Sequence, residues 1–211
     1  MDRAAMLDTM AAMQDAHNTQ VHPQWRQSGY EYYRAVWVEC AELLDHFGWK
    51  WWKHQRPDLD QVKLELVDIW HFGMSDLIRA DALNASAIEI LDIEPVAEAE
   101  PEALRLAVED LARETLAAQA FALDAFAEAM RLLPLTFDEL FRLYIGKNVL
   151  NRFRQDHGYK TGTYVKTWDG REDNEHLMEL LGDLERPETA VADLYGRLEA
   201  RYPGGRGEAA D

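Results

Sequence analysis

Two pairs of acidic residues have a spacing that could do chemistry. Glu39 and Glu42 form one pair, Glu65 and Asp68 the other, and each is separated by three positions. On a helix that interval puts both carboxylates of a pair on one face. Their neighbours are apolar: Ala35, Val36, Leu43 and Phe47 around the first pair, Val62, Leu64, Ile69 and Phe72 around the second. A carboxylate in an apolar stripe is costly to bury unless a cation or strong donors accompany it. Either pair alone would read as a solvated helix face. Two pairs on consecutive helices, packed antiparallel, would bring four carboxylates to one point, a donor set for hard octahedral cations such as Mg²⁺ or Mn²⁺. A di-iron bundle needs a Glu-x-x-His pair from each of two helices. Asp68 and His71 offer one carboxylate-x-x-His, but the Glu39–Glu42 pair has no histidine counterpart, so magnesium ranks first.

The second constellation is basic, in a chain whose formal net charge is −17. Within "RFRQDHGYKTGTYVK", residues 152–166, Arg152, Arg154, Lys160 and Lys166 alternate with Gly158, Tyr159, Gly162 and Tyr164. Lys147, Asn151 and Arg154 stand at i, i+4 and i+7, one face of a helix. Tyr159, Lys160 and Lys166 follow on a loop whose glycines would let backbone N–H groups approach an anion. The bland reading is a basic strip balancing acidic surface. Asp156 could hold Arg154 or Lys160 in place, and Cys40 beside Glu39 reads as a small core residue.

The elements that must position these groups are helical. Apolar residues recur at helical spacing almost throughout, and no segment sustains period-two alternation. Helices are expected over residues 2–19, over "YYRAVWVECAELLDHFG" up to Gly48, and over a third segment capped by Asp58 or Asp60. A proline-punctuated acidic connector spans 84–102, a fourth helix runs to about Leu132, and a fifth runs from Thr136 to about Phe153. A last helical region covers Asn174–Tyr202, interrupted at Pro187. The expected fold is an all-α helical bundle in a single domain over residues 1–205, with a disordered tail at 206–211.

Composition bounds the function. Of 211 residues, 47% are hydrophobic, enough for a sizeable core. The acidity opposes binding to nucleic acid or an anionic membrane surface. Cys40 is the one cysteine, so an intrachain disulfide is impossible and a reducing, cytoplasmic setting is the default. The first residues lack a signal-peptide pattern, and no apolar run reaches membrane-span length.

With both constellations in view, the chain resembles a known family. E-x-x-E followed by E-x-x-D, with 22 residues between Glu42 and Glu65, is similar to the all-α nucleoside triphosphate pyrophosphohydrolases, the superfamily of MazG and the dimeric dUTPases. "ECAELLDHFGWKWWK", "ELVDIWHF" and "YIGKNVLNRFRQDHGYKTGTYVKTWDGREDN" together resemble the dimeric dUTPases, over residues 10–80 and 140–178. The resemblance implies that Glu39, Glu42, Glu65 and Asp68 hold two or more Mg²⁺ ions, with Mn²⁺ a possible substitute, and are the catalytic carboxylates. It implies a phosphate clamp of Lys147, Asn151, Arg154, Tyr159, Lys160 and Lys166. It assigns base and sugar contacts to Gln14, Asn18, Trp51 and His71, although His17 stands before Asn18 where relatives have an apolar residue. It further implies a homodimer, hydrolysis of dUTP and dUDP to dUMP, and a mobile lobe at about 84–132. Rival readings are a dCTP or other dNTP pyrophosphatase and a non-enzymatic acidic interaction module. Trp49, Trp51 and Trp52 could equally be core or dimer-contact aromatics.

Overall fold

The computed structural model describes residues 1–97 and 99–203, so the expected tail at 206–211 lies outside the described residues. The architecture is all-α. In chain order the helices are α1 (Arg3–Val21), α2 (Tyr32–Phe47), α3 (Leu59–Arg79), α4 (Ala85–Leu91), α5 (Pro101–Ala118), α6 (Leu123–Leu132), α7 (Phe137–Asp156), α8 (Asp173–Gly182) and α9 (Val191–Arg201). The strands among the described residues are β1 (Thr167–Trp168) and β2 (Arg171–Glu172), a two-residue antiparallel ribbon. Among the described residues no helix is long and apolar enough to cross a membrane. The chain forms two compact units, Met1–Phe141 and the residues from Arg142 onward.

In the first unit α3 is the central helix, and α2 packs along it. Its Val62, Leu64, Leu66, Val67, Ile69, Trp70 and Met74 are all fully buried. A helix apolar on every side must be surrounded, and α1 and α2 both pack against α3. The boundaries follow local chemistry. The Asp58 carboxylate accepts from the Gln61 amide and starts α3, as a short oxygen-bearing side chain does at an N-cap. Gly48, at φ 93°, ends α2 in a conformation that glycine adopts without strain. Thr136 Oγ1 accepts from the Glu139 amide and starts α7. Cys40 is a buried core residue, as its setting in the sequence suggests, and burial pushes its thiol up to about 12.

The middle of the chain departs from expectation. The acidic connector contains α4, capped by Asn84, whose side chain accepts from the Ser86 amide. The single helix expected before Leu132 is two, α5 and α6, divided where Gln119 turns left-handed at φ 52°. No glycine or proline marks that break. Tertiary packing supplies the reason. The Phe121 amide donates to the buried Asp76 carboxylate at 2.9 Å, and the Phe121 ring lies against α3 beside Trp70 and Phe126.

Gly73 is what admits that ring, since a Cβ there would sit 2.5 Å from Phe121 carbons. Forcing a methyl into a packed aromatic contact costs about 1–3 kcal/mol. Gly73→Ala should lower the unfolding free energy by about that amount, read as a lower urea midpoint at unchanged slope.

The second unit is built on an aromatic core. Phe153 meets Trp168, Tyr195 and Tyr202 edge-on at 5.2–5.8 Å between ring centroids. Arg142 donates to the carbonyls of Leu181 and Leu184, satisfying acceptors that the end of α8 leaves open. The hairpin turns on Asp169 and Gly170, both at positive φ (49° and 80°), the pairing that tight hairpins favour. Glu172 and Glu175 form a reciprocal capping box at the start of α8.

Candidate active site

The carboxylates come together as their spacing suggests. Glu39 and Glu42 project from α2 and Glu65 from α3, and one ligand oxygen of each lies within 4.8 Å of the others. Glu65 is buried, Glu39 half-buried and Glu42 exposed. Asp68 stands outside that triad but acts on it. Burial first, then the charges of Asp68, Glu65 and Glu42 and a hydrogen bond with Glu65, push the Glu39 carboxyl up to about 9. Like charges held this close favour a shared cation, and an all-oxygen, carboxylate-rich donor set fits a hard divalent ion.

His46, one turn beyond Glu42 on α2, brings Nε2 to 3.6 Å from Glu65 Oε1. Sequence reasoning passed over it. Its i, i+4 and i+7 relation to Glu42 and Glu39 was the signal available.

A second polar group gathers three of the four residues assigned to the base. Gln14 Nε2 donates to Asn18 Oδ1 and to Ser75 Oγ, both at 3.0 Å. Asn18 Nδ2 donates to the same Ser75 oxygen at 2.9 Å. Gln14 Oε1 lies 2.7 Å from His71 Nδ1, and the Ser75 hydroxyl donates to the His71 carbonyl at 2.8 Å. Ser75 is therefore the hub on which both amides converge. The sequence reading missed it because a serine inside an apolar helix carries no distinctive spacing. Trp51 lies outside this network, 89% exposed in the α2–α3 connection and edge-on to Trp52 at 5.4 Å. Trp49, Trp51 and Trp52 are all exposed, which removes them from the core.

The basic block lies in the second unit, and much of it is already partnered. Lys147 is buried, its Nζ donating to Asn174 Oδ1 at 2.9 Å. Arg154 donates through Nε and Nη2 to the two oxygens of Asp173, each at 2.8 Å, and through Nη1 to Asn151 Oδ1 at 3.2 Å. The carboxylate that chelates Arg154 is thus Asp173, while Asp156 meets Arg152 at 3.6 Å and accepts from the Tyr195 hydroxyl at 2.9 Å. Tyr159, Lys160 and Lys166 are exposed on the loop, Lys166 pairing with Glu172 at 3.0 Å. The loop amides differ from expectation. Those of Thr161 and Thr163 donate to the Gly158 carbonyl and that of Gly162 to Tyr159, so three N–H groups close the turn instead of facing outward.

Asp173 is fully buried. Burial raises its carboxyl, but hydrogen bonds and charge from Arg154, the Tyr164 hydroxyl and the charge of Lys147 outweigh that and hold it below the ordinary carboxylate value. Burial and the adjacent Asp173 keep the Tyr164 hydroxyl well above its usual range, so it remains a donor.

A family model described as dUTPase matches residues 6–159, and the chain belongs to this all-α dUTPase family. It is therefore a hydrolase acting on the diphosphate bonds of dUTP, with a nucleotide as substrate, in a family that usually requires a divalent metal. No curated protein matched the chain. The matched span contains the acidic triad, the amide network and the basic face of α7, and it stops before Lys160 and Lys166.

A depressed carboxyl contributes stability above its unfolded value, about 3.9, and loses it as pH falls through the lower folded value. Removing one partner of a buried ion pair costs about 3–5 kcal/mol. Asp173→Asn should lower the unfolding free energy at pH 7 by roughly that much and flatten the fall in stability below about pH 4. Denaturant titrations at pH 7 and pH 3 check both.

Proposed function

We propose that the protein hydrolyses dUTP to dUMP and pyrophosphate, and dUDP to dUMP and phosphate, with Mg²⁺ held by Glu39, Glu42, Glu65 and Asp68. The observation that carries this reading is the convergence of three glutamates from α2 and α3 within 4.8 Å, in a chain of the dUTPase family. Bound divalent ions supply phosphate-charge neutralisation and a coordinated water of lowered pKa. The chain's own residues do the rest. Glu39 or Glu42 orients the attacking water and receives its proton, Glu42 being the more exposed. Arg154, Tyr159, Lys160 and Lys166 meet phosphate oxygens, arginine as a fork and lysine as a point charge. Lys147 and Asn151 support that group from the α7 face. Gln14, Asn18 and His71 read the pyrimidine, held in register by Ser75, with Trp51 a stacking surface for the base. The removal of dUTP keeps uracil out of DNA, and the dUMP released provides the precursor for thymidylate in the cytoplasm.

The protein in this reading is a homodimer. Trp37 and Val38 of α2, with Trp49, Trp51 and Trp52, are exposed. An open groove of about 810 Å³ runs along Trp37, Val38, Ala41, Leu44 and Trp49, with Glu42, Asp45 and His46 also in its lining. Exposed aromatic and aliphatic side chains gathered in this way favour a second protein surface over water. Sedimentation equilibrium should give twice the mass of 24.3 kDa, and Trp37→Glu should return it to one.

Product analysis with dUTP, dUDP, dCTP, dTTP and UTP, each with Mg²⁺ and with EDTA, tests the reaction. Magnesium-dependent dUMP from dUTP and dUDP, with dTTP spared, is expected. A preference for dCTP would retain the metal site and overturn the base assignment. Glu42→Gln should lower kcat by about 10² or more and reduce the Mg²⁺-induced rise in melting temperature. Turnover close to wild type in that variant would sink the metal assignment.

A further inference from the structure

Beyond the matched residues the chain continues through β1, β2, α8 and α9, and α9 delivers one side chain back to the basic loop. Tyr202, the residue that ends α9, is buried, 3% exposed. Its hydroxyl accepts from the Val165 amide at 3.1 Å. Its ring stacks on Tyr164 at 5.4 Å with 8° between planes, and meets Phe153, His157 and Trp168 edge-on at 4.8–5.4 Å. We propose that Tyr202 is a positioning residue for the phosphate-gripping loop, acting through Tyr164 and Val165 on Lys166 and Arg154. This rests on the reading of Lys166 and Arg154 as phosphate ligands.

Two connected paths carry the argument. In the first, the Tyr202 ring fixes Tyr164, whose hydroxyl donates to Asp173 Oδ2 at 2.8 Å. Asp173 in turn fixes the guanidinium of Arg154 with two bonds. In the second, the Tyr202 hydroxyl holds the Val165 amide, one residue before Lys166. The Lys166 carbonyl accepts from the Asp173 amide at 3.0 Å. The backbone of Lys166 is therefore tied on both sides, by Tyr202 before it and by the start of α8 after it. Its ammonium, half exposed, is the part left to exchange partners.

The hydroxyl separates positioning from packing. A phenylalanine would keep the stack and the edge contacts and lose only the acceptor for Val165. If Tyr202 merely filled the core, that loss would leave catalysis unchanged. If it sets the loop, phosphate binding weakens while the chemical step is spared, because the carboxylates that orient water belong to the other unit.

The test uses the full chain and three proteins: wild type, Tyr202→Phe and, as the control for the clamp, Lys166→Ala. Amide exchange at Val165 and steady-state hydrolysis of dUTP are measured on each, well below the melting transition of all three. Expected for Tyr202→Phe are faster exchange at Val165 and a KM about five-fold higher, the worth of one net hydrogen bond, with kcat within about two-fold of wild type. Unchanged exchange and unchanged KM overturn the proposal. Faster exchange with unchanged KM, while Lys166→Ala raises KM, also overturns it and leaves the clamp standing. If Lys166→Ala leaves KM unaltered, the clamp reading fails, and the proposal falls with it. An equal drop in kcat at constant KM would mean Tyr202 acts elsewhere than on binding.

Discussion

The repulsion among the acidic side chains of α2 and α3 is the constraint on which the rest of the first unit depends. Glu39, Glu42 and Glu65 approach one another within 4.8 Å in surroundings that are in part water-excluded, with Asp68 close enough to act on Glu39. Separate helices would relieve the strain by moving apart. They are kept together by an α3 that is apolar on nearly every face and by an α2 that packs along it. The burial energy of those helices thus supports an arrangement that electrostatics alone would disperse. The same enclosure explains why α3 contains so many buried polar residues. Glu65, His71, Ser75 and Asp76 are all buried there, and each has protein partners that only a surrounded helix can bring.

The second unit solves the opposite problem. It gathers cations and keeps them in place with internal carboxylates and aromatic stacking. Asp173 at the start of α8 fixes Arg154, Asn174 receives Lys147, and Glu172 meets Lys166. Three consecutive residues of one helix start therefore organise three of the basic side chains. The Asp169–Gly170 turn aims that helix start at the loop.

How much of this was legible in the sequence depended on whether the signal was local. The helix class, the start of α3 at Asp58, the end of α2 at Gly48 and the start of α7 at Thr136 rest on short-range chemistry, and the sequence displayed them. The convergence of Glu39, Glu42 and Glu65 was readable because helical spacing and apolar neighbours sufficed. The break at Gln119 was not, since it depends on Phe121 reaching Asp76 and Gly73 across the fold. Ser75 and Asp173 escaped for the same reason: Ser75 receives amides from 57 and 61 residues away, and Asp173 grips a guanidinium 19 residues away. The hairpin was a different case. "WDGR" contains an Asp-Gly pair of the kind that tight turns use, but strands of two residues are too short to show alternation. The inward-facing loop amides could not be foreseen, because glycines at 158 and 162 permit either orientation and the carbonyls of Gly158 and Tyr159 decide it.

In the proposed reading, pairing the exposed Lys166 with Glu172 has a consequence for selectivity, while the buried Arg154–Asp173 pair stays closed. A cation that already has a carboxylate must give it up, wholly or in part, before it takes a phosphate oxygen. The net gain from any single phosphate is then the difference between two similar ion pairs, which is small. A ligand with one phosphate group can make few such exchanges and gains little from them. A polyphosphate meets Tyr159, Lys160 and Lys166 together, and each contact after the first occurs at high local concentration. In the proposed reading the loop would favour polyphosphates over the simple anions of its surroundings and would readily release a product that has been cut short.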